Sequence, residues 1–169
     1  MLRRPAFPFG SASMHRAEDP LFFTLLVESY RRIVGQEPPF LAPPLLAPEA
    51  RPSASWLYAE APVCVLAHNT APDPHFIYAN RCAQDLFGYT FDEITALPSR
   101  LSAEEPAWGE RQRLLEQVAK NGFATGYSGV RIAKSGRRFR IEDGVLWQLK
   151  DRNGSLRGVA ATFAKWRDV

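Results

Sequence analysis

Half of the fourteen prolines in this 169-residue chain fall between Pro38 and Pro62. Proline lacks a backbone donor and fixes φ, so a run this dense is expected to exclude both a regular helix and a central strand. The run divides the chain. Residues 36–62 read as a stiff connector between a short N-terminal piece and a main domain over residues 63–169. One domain also suits the length, which allows a single real core but not two.

Residues 1–18 are expected to be extended or disordered, and Met14 is a candidate native start. Asp19-Pro20 then reads as a helix start, with Asp as N-cap and Pro at the first helical position. Gly35 supplies the stop. Between them Phe22, Leu26, Tyr30 and Ile33 recur at helical spacing, widened by Phe23, Leu25 and Val34. A stripe that broad has to be buried. It predicts an amphipathic helix over 19–35 that packs on the outer face of a sheet or on a second copy of the chain.

In the main domain, residues 63–67 and 76–78 read as strands, with Pro72-Asp73-Pro74 turning the chain between them. Asn80 caps a short helix that buries Ala83, Leu86 and Phe87 and stops at Gly88. Thr90 and Glu93 form a capping box for the next, with Phe91, Ile94 and Leu97 on its apolar side. A longer helix follows over 107–121, with Trp108, Leu115 and Val118 inward and Gly122 as its stop. Strands over 126–133, 137–149 and 156–166 complete the chain, with Ser135-Gly136 and Asn153-Gly154 at the reversals. A two-residue Ser135-Gly136 loop sets Ile132 opposite Phe139 and Val130 opposite Ile141 on the apolar face. It turns Arg131 and Arg140 to the other side. A bulge is expected around Glu142-Asp143-Gly144, and beyond it Trp147 pairs with Ala160.

Composition narrows the function classes. The net charge of +3 is too small for a nucleic-acid signature. The cations between Arg131 and Arg140 form one hairpin patch without interleaved aromatics or a groove-entering helix, so no nucleic-acid partner is expected. No apolar run approaches the ~20 residues that span a bilayer. Pro5, Pro8 and Gly10 also interrupt any signal-peptide core. A cytoplasmic protein with no membrane partner is expected. Cys64 and Cys82 read as buried thiols, without the spacing of a disulfide framework or a zinc site. His68, Asp73 and His75 span one loop at a distance compatible with a metal, but the two-proline turn explains the same spacing, and no metal site is assigned. No nucleophile elbow, phosphate loop or zinc-protease helix occurs. No catalytic residue is assigned, and the chain is not expected to be an enzyme.

Two strands, three helices and a three-stranded meander follow the element order of a PAS domain. FIYANRCAQDLFGYTFDEI (76–94) resembles the common PAS segment in which a strand runs into Asn, then LFGY, then a capped helix. LPSRLSAEEP (97–106), ERQRLLEQV (110–118), GYSGVRIAKSGRRFRIEDGVLWQLKDRNG (126–154) and GVAATFAKW (158–166) resemble the MEKHLA domain family, as does the leading LLVESYRRIVG (25–35). That family is PAS-like, and occurs at the C-terminus of plant class III homeodomain–leucine zipper proteins and as stand-alone bacterial proteins. With no homeodomain or zipper, this chain resembles the bacterial type. The resemblance implies an α+β fold: a five-stranded antiparallel sheet with helices on one face, plus the N-terminal amphipathic helix.

A PAS-type sheet and its helical flank can enclose a cavity, and function must be argued from that site. The candidate ligand-binding residues are Asn80, Arg100, Tyr127 and Trp147. Arg100 sits where a PAS fold often has its pocket mouth, able to fork onto a ligand carboxylate or to pin loop carbonyls. Asn80 is first a helix cap; Tyr127 and Trp147 are core residues or ligand platforms. Phe22, Leu26, Tyr30 and Ile33 are candidates for a dimer contact or for sheet packing. None of His15, His68 and His75 lies in the 107–121 helix, where PAS haem sensors carry their ligand. Asn80-Arg81-Cys82-Ala83 does not match a photoactive flavin motif, so no cofactor is assigned. The resulting reading is a small-molecule-sensing or regulatory module, homodimeric, that acts through contact with a separate output protein. The alternative is a dimerisation or protein-interaction domain without a ligand.

Overall fold

The computed structural model describes residues 17–41 and 52–169. The expectations for residues 1–16, Met14 included, and for the middle of the connector lie outside the described residues. Helix α1 (Pro20–Val34) is followed by a 3-10 turn at Pro39–Leu41 and by helix α2 (Ala54–Ala59). Then come β1 (Cys64–His68), β2 (Phe76–Ala79), α3 (Arg81–Phe87), α4 (Phe91–Thr95) and α5 (Trp108–Asn121). The chain closes with β3 (Phe123–Ile132), β4 (Arg138–Lys150), β5 (Leu156–Phe163) and β6 (Lys165–Asp168). The sheet is antiparallel in the order β2-β1-β5-β4-β3. After a break at Ala164, β6 pairs with the first half of β4, so the expected last strand is two.

The helix ends follow the expected local chemistry. Asp19 accepts from the Leu21 N–H at 2.9 Å, Pro20 opens α1, and Gly35 closes it in the left-handed region at φ +78°. Asn80 caps α3, Thr90 caps α4, and Gly122 ends α5. The connector corrects its expectation. Pro52 and Pro62 bracket a proline-free window, and within it Ser53 accepts from the Trp56 N–H at 3.1 Å to start α2. Trp56 and Leu57 of that helix are buried.

Side chains alternate along the strands, and both faces of the sheet are covered. Helices α1 and α2 lie on one face. There Phe22, Leu26, Val27, Tyr30, Phe40 and Trp56 pack on Val65, Ala67, Tyr78, Trp147, Leu149 and Ala160. Of the two uses open to the α1 stripe, its own sheet takes Phe22, Leu26 and Tyr30, while half-buried Ile33 rests on Gly122. Tyr30 meets Trp147 edge-on at 5.0 Å, and the Trp147 indole donates to the Leu26 carbonyl at 3.2 Å. Buried Ser29 donates to the Lys150 carbonyl and accepts from its N–H, tying α1 to the end of β4. Helices α3, α4 and α5 cover the other face. Their Ala83, Leu86, Phe87, Ile94 and Val118 meet Leu66, Phe76, Tyr127, Phe139, Ile141 and Phe163. Cys64 and Cys82, distant in sequence, place their sulfurs 3.4 Å apart at the base of α3 as free thiols.

The β3–β4 register also differs from expectation. Gly136 adopts φ +88°, and the Ala133 N–H bonds to Arg137 while its carbonyl accepts from Gly136. This is a three-residue loop of turn plus left-handed glycine, one residue longer than a Ser135-Gly136 loop. The added residue shifts the pairing by one, giving Arg131↔Phe139, Val130↔Arg140 and Gly129↔Ile141. A one-residue slip exchanges the faces. Arg131 therefore lies on the helical side with Phe139 and Ile141, 7% exposed, while Val130 and Ile132 are half-exposed on the other. The hairpin cations are no single patch either. Lys134 pairs with Glu93, Arg137 with Asp168 and Arg138 with Glu104. Farther along, Trp147 pairs with Ala160, and the expected bulge is marked by Asp143 at φ +53°.

Candidate functional site

Between α5 and the sheet lies a cavity of about 70 Å3. Its wall is largely apolar, with Leu66, Phe87, Leu114, Ile141 and Phe163 among the lining residues. Six polar side chains also reach it: His68, Ser99, Ser102, Arg111, Tyr127 and Arg131. Helix α5 roofs the cavity loosely, with only Val118 of its residues fully buried and Leu114 and Leu115 half-buried.

Each polar group has a traceable placement. Tyr127, Gly129 and Arg131 stand two apart on β3 and so share a face. A Cβ at Gly129 would sit 3.0 Å from Arg131 Nη1, and one at Gly144 would sit 2.8 Å from Tyr127 Cδ1. Both glycines thus leave the room that the guanidinium and the phenol ring occupy. The guanidinium carbon of Arg131 lies 5.2 Å from the Tyr127 ring centre, and its Nη1 donates to the Val130 carbonyl at 2.7 Å. Arg111 is one α5 turn before Leu114 and Leu115, on the stripe that faces the sheet, and its Nη2 donates to Ser99 Oγ. The Ser99–Ser102 turn is itself held by Ser102 Oγ donating to the Ser99 carbonyl at 2.7 Å.

Positive charge dominates this cluster, although Asp73 acts on Arg111 from beyond ion-pair distance. Among the described residues no carboxylate lies within ion-pair distance of Arg111 or Arg131. Burial lowers the Arg111 pKa, and the nearby Arg131 charge lowers it further. Burial raises the Tyr127 hydroxyl, partly offset by the two guanidinium charges. Burial also holds His68 below the ordinary imidazole range, and the Arg111 charge acts in the same direction. The His68 Nδ1 lies 2.8 Å from the Asn69 carbonyl oxygen, so Nδ1 carries the proton. That leaves Nε2 as an acceptor, and it is buried without a hydrogen-bond partner among the described residues. A buried acceptor without a donor is expensive, and native structures rarely carry one without cause.

Of the four candidate ligand residues, the structure brings Tyr127 alone to this cavity. Trp147 lies on the opposite face of the sheet, because its neighbour Leu146 takes the inward position. Asn80 is fully buried and saturated. Its Oδ1 accepts from Val65 and Ala83, and its Nδ2 donates to Leu57 and Val63. Arg100 does fork onto a carboxylate, but an internal one: Nε is 3.1 Å and Nη2 3.5 Å from the two oxygens of Asp73. His68, Asp73 and His75 do not converge, and among the described residues no three potential metal ligands of this kind come together. A second, larger depression of about 830 Å3, lined by Tyr58, Arg81, Asp85, Asp92 and Lys134, carries charges of both signs. Of these two, the smaller is lined by guanidinium groups without a carboxylate.

The sequence reading missed Arg111, Arg131 and His68. For the two arginines a signal was present. Arg111, Leu114, Leu115 and Val118 follow the i, i+3, i+4, i+7 pattern, which puts a charge on an apolar stripe. Lys134-Ser135-Gly136 also fits a three-residue hairpin with glycine at the left-handed position, which turns Arg131 inward.

With the cavity in place, comparison with known proteins settles the family. The MEKHLA domain model matches residues 21–168. The chain belongs to the MEKHLA domain family. Among curated proteins none matches its sequence. The fold resembles that of the PAS domain of a protein from Colwellia psychrerythraea, with a TM-score of 0.57 and 15% identity over 69% of this chain and 92% of that one. It also resembles an RNA-binding light-oxygen-voltage receptor, with a TM-score of 0.53 and 22% identity over 65% of this chain and 30% of the receptor. A blue-light activated histidine kinase of Erythrobacter litoralis matches with a TM-score of 0.53 and 17% identity, over 64% of this chain and 33% of the kinase. The domain thus spans about a third of each of the two photoreceptors. These likenesses establish the PAS fold of this MEKHLA domain. The flavin analogue named for one light-oxygen-voltage domain of similar fold has no room in the cavity as it stands, with α5 in place. A cavity of about 70 Å3 is far below the ~300 Å3 at which organic-cofactor pockets begin. Among the described residues no helix is long and apolar enough to cross a membrane.

Proposed function

We propose that this MEKHLA domain is a sensory or regulatory module that takes a small organic molecule into the cavity beneath α5 and passes its state to a separate protein by contact. The observation that carries this reading is the orphaned Nε2 of His68 beside a cavity under a loosely packed helix. A polar group left without a partner there is satisfied when a ligand, or water held with it, arrives. A helix with few buried side chains opens at low free energy, so occupancy of the cavity is read out as the position or mobility of α5. The PAS fold of its structural neighbours supports the same reading.

The alternative, a dimerisation domain built on α1, finds less support. The stripe formed by Phe22, Leu26 and Tyr30 is already covered by the chain's own sheet, and a dimer through it would have to expose Trp147. Hydrogen exchange of the full chain during a thermal-shift screen of small metabolites tests the proposal. Compounds that raise Tm are expected to slow exchange in residues 108–121. Absence of any stabilising compound, together with unchanged exchange in α5, would sink it.

A further inference from the structure

Two guanidinium groups share one small, mostly apolar cavity, and among the described residues neither has a carboxylate partner. Arg131 is 7% exposed, and Gly129 opposite Ile141 leaves the space its guanidinium occupies. Arg111 reaches the same cavity from α5, on the arm of Ser99. Like charges facing each other in a low-dielectric site repel, and each has left water to be there. The alternation of β3 would as readily have placed Val130 or Ile132 inward, so an arginine at an inward position is an exception to the hydrophobic pattern. Sites where local rules fail in this way are where function is expected.

We propose that the ligand of this domain is a small organic carboxylate whose head is held between Arg111 and Arg131 and whose short apolar body contacts Leu66, Phe87 and Phe163. The proposal rests on the ligand-binding reading above and narrows it to a chemical class. A guanidinium pair supplies paired N–H donors that match the two oxygens of one carboxylate, and the anion also removes their mutual repulsion. The apolar lining favours a carboxylic acid with a hydrocarbon tail over a bare inorganic oxoanion, whose remaining oxygens would face Leu114 and Ile141. His68 adds an acceptor beside this donor pair, which a hydroxyl of the ligand or a water bound with it fills. The cavity as it stands holds about two waters' worth of volume, at ~30 Å3 each. A head group of that size enters directly, and a longer tail lifts α5 outward. Binding and the helix signal are thereby one event.

Calorimetry and thermal shift on the full chain test this with butyrate, its neutral isostere butyramide, and inorganic phosphate as probes. Butyrate is expected to bind saturably and raise Tm, with butyramide and phosphate each at least about tenfold weaker. Arg111→Met and Arg131→Met are each expected to weaken butyrate about tenfold or more and butyramide by a clearly smaller factor. Should one variant fail to fold, the other carries the test. Ala161→Leu, which fills the cavity, is expected to abolish binding of every probe. If butyramide binds as tightly as butyrate and the arginine variants bind both normally, the carboxylate inference is overturned while the cavity reading stands. If phosphate binds best and loses affinity in both variants, the pair is an inorganic-oxoanion site and the organic class is overturned. If no probe binds, the carboxylate inference is overturned, and the cavity reading then stands or falls on the metabolite screen and the exchange of α5.

Discussion

One face of the sheet is dry and pinned; the other is loose and charged. Under α1 and α2, Trp147 is fully buried, its ring meets Tyr30 and Phe40, and its indole N–H is bonded to the Leu26 carbonyl. Under α5, in contrast, two arginines find no carboxylate partner and a histidine nitrogen no donor among the described residues. Both layers belong to one chain and share the strands between them, so the difference is not one of composition. Burial on the α1 face is spent on stability. On the α5 face some of that stability is given up, as the proposed ligand site would require.

The comparison can be broken most easily at Trp147. Replacing it with alanine is expected to lower unfolding free energy by about 3–5 kcal/mol in urea titrations, the range for truncating a buried aromatic. A loss below about 1 kcal/mol would mean that the α1 face is not the rigid half. Asn80→Ala comes next, at about 2–4 kcal/mol, because the cap of α3 and the Leu57 and Val63 carbonyls lose a partner together. The charged face should respond in the opposite way. Arg131→Met without ligand is expected to fall within about 1 kcal/mol of the wild type or above it, since an unpaired buried charge is removed. A loss as large as that of Trp147→Ala would show that Arg131 is a structural member of the core.

The smallest effect is a pH dependence. His68 is held below its unfolded value of 6.5 by burial and by Arg111, with Arg131 lining the same cavity and no carboxylate among the residues described as lining it. A depressed folded value means that the unfolded chain binds the extra proton first. The stabilisation is complete above the unfolded value and is lost as pH falls through 6.5 toward the folded one. Tm of the wild type is expected to drop more steeply than that of His68→Gln between about pH 7 and pH 5. Parallel curves would place His68 in contact with solvent or with an unseen partner.

Local signals in the chain were legible wherever a few neighbouring residues decide the outcome. Asp19-Pro20, Asn80, Thr90, Gly35, Gly88 and Gly122 each marked a helix end, because caps and left-handed glycines act over one turn. The Trp147–Ala160 pairing was legible too, from a large residue matched to a small one. Helix α2 was hidden by counting prolines over the whole connector when only the gap between Pro52 and Pro62 mattered. The site was hidden by one residue. A loop read as two residues instead of three turned Arg131 outward with Arg140, and so the charge that defines the cavity was taken for surface.

By itself, then, the sequence determined the order of the main domain's elements apart from the split of its last strand, the ends of the capped helices, the amphipathic α1 and the resemblance to a PAS-like family. Those depend on spacing along the chain, which the sequence states directly. Only the tertiary structure decided that α1 covers its own sheet, that Arg100 is spent on Asp73, that Trp147 faces away from the cavity, and that Arg111 and Arg131 meet inside it. Each of these depends on register and on which side of a strand is already occupied. Because side chains alternate with a period of two, a single-residue shift reverses the answer.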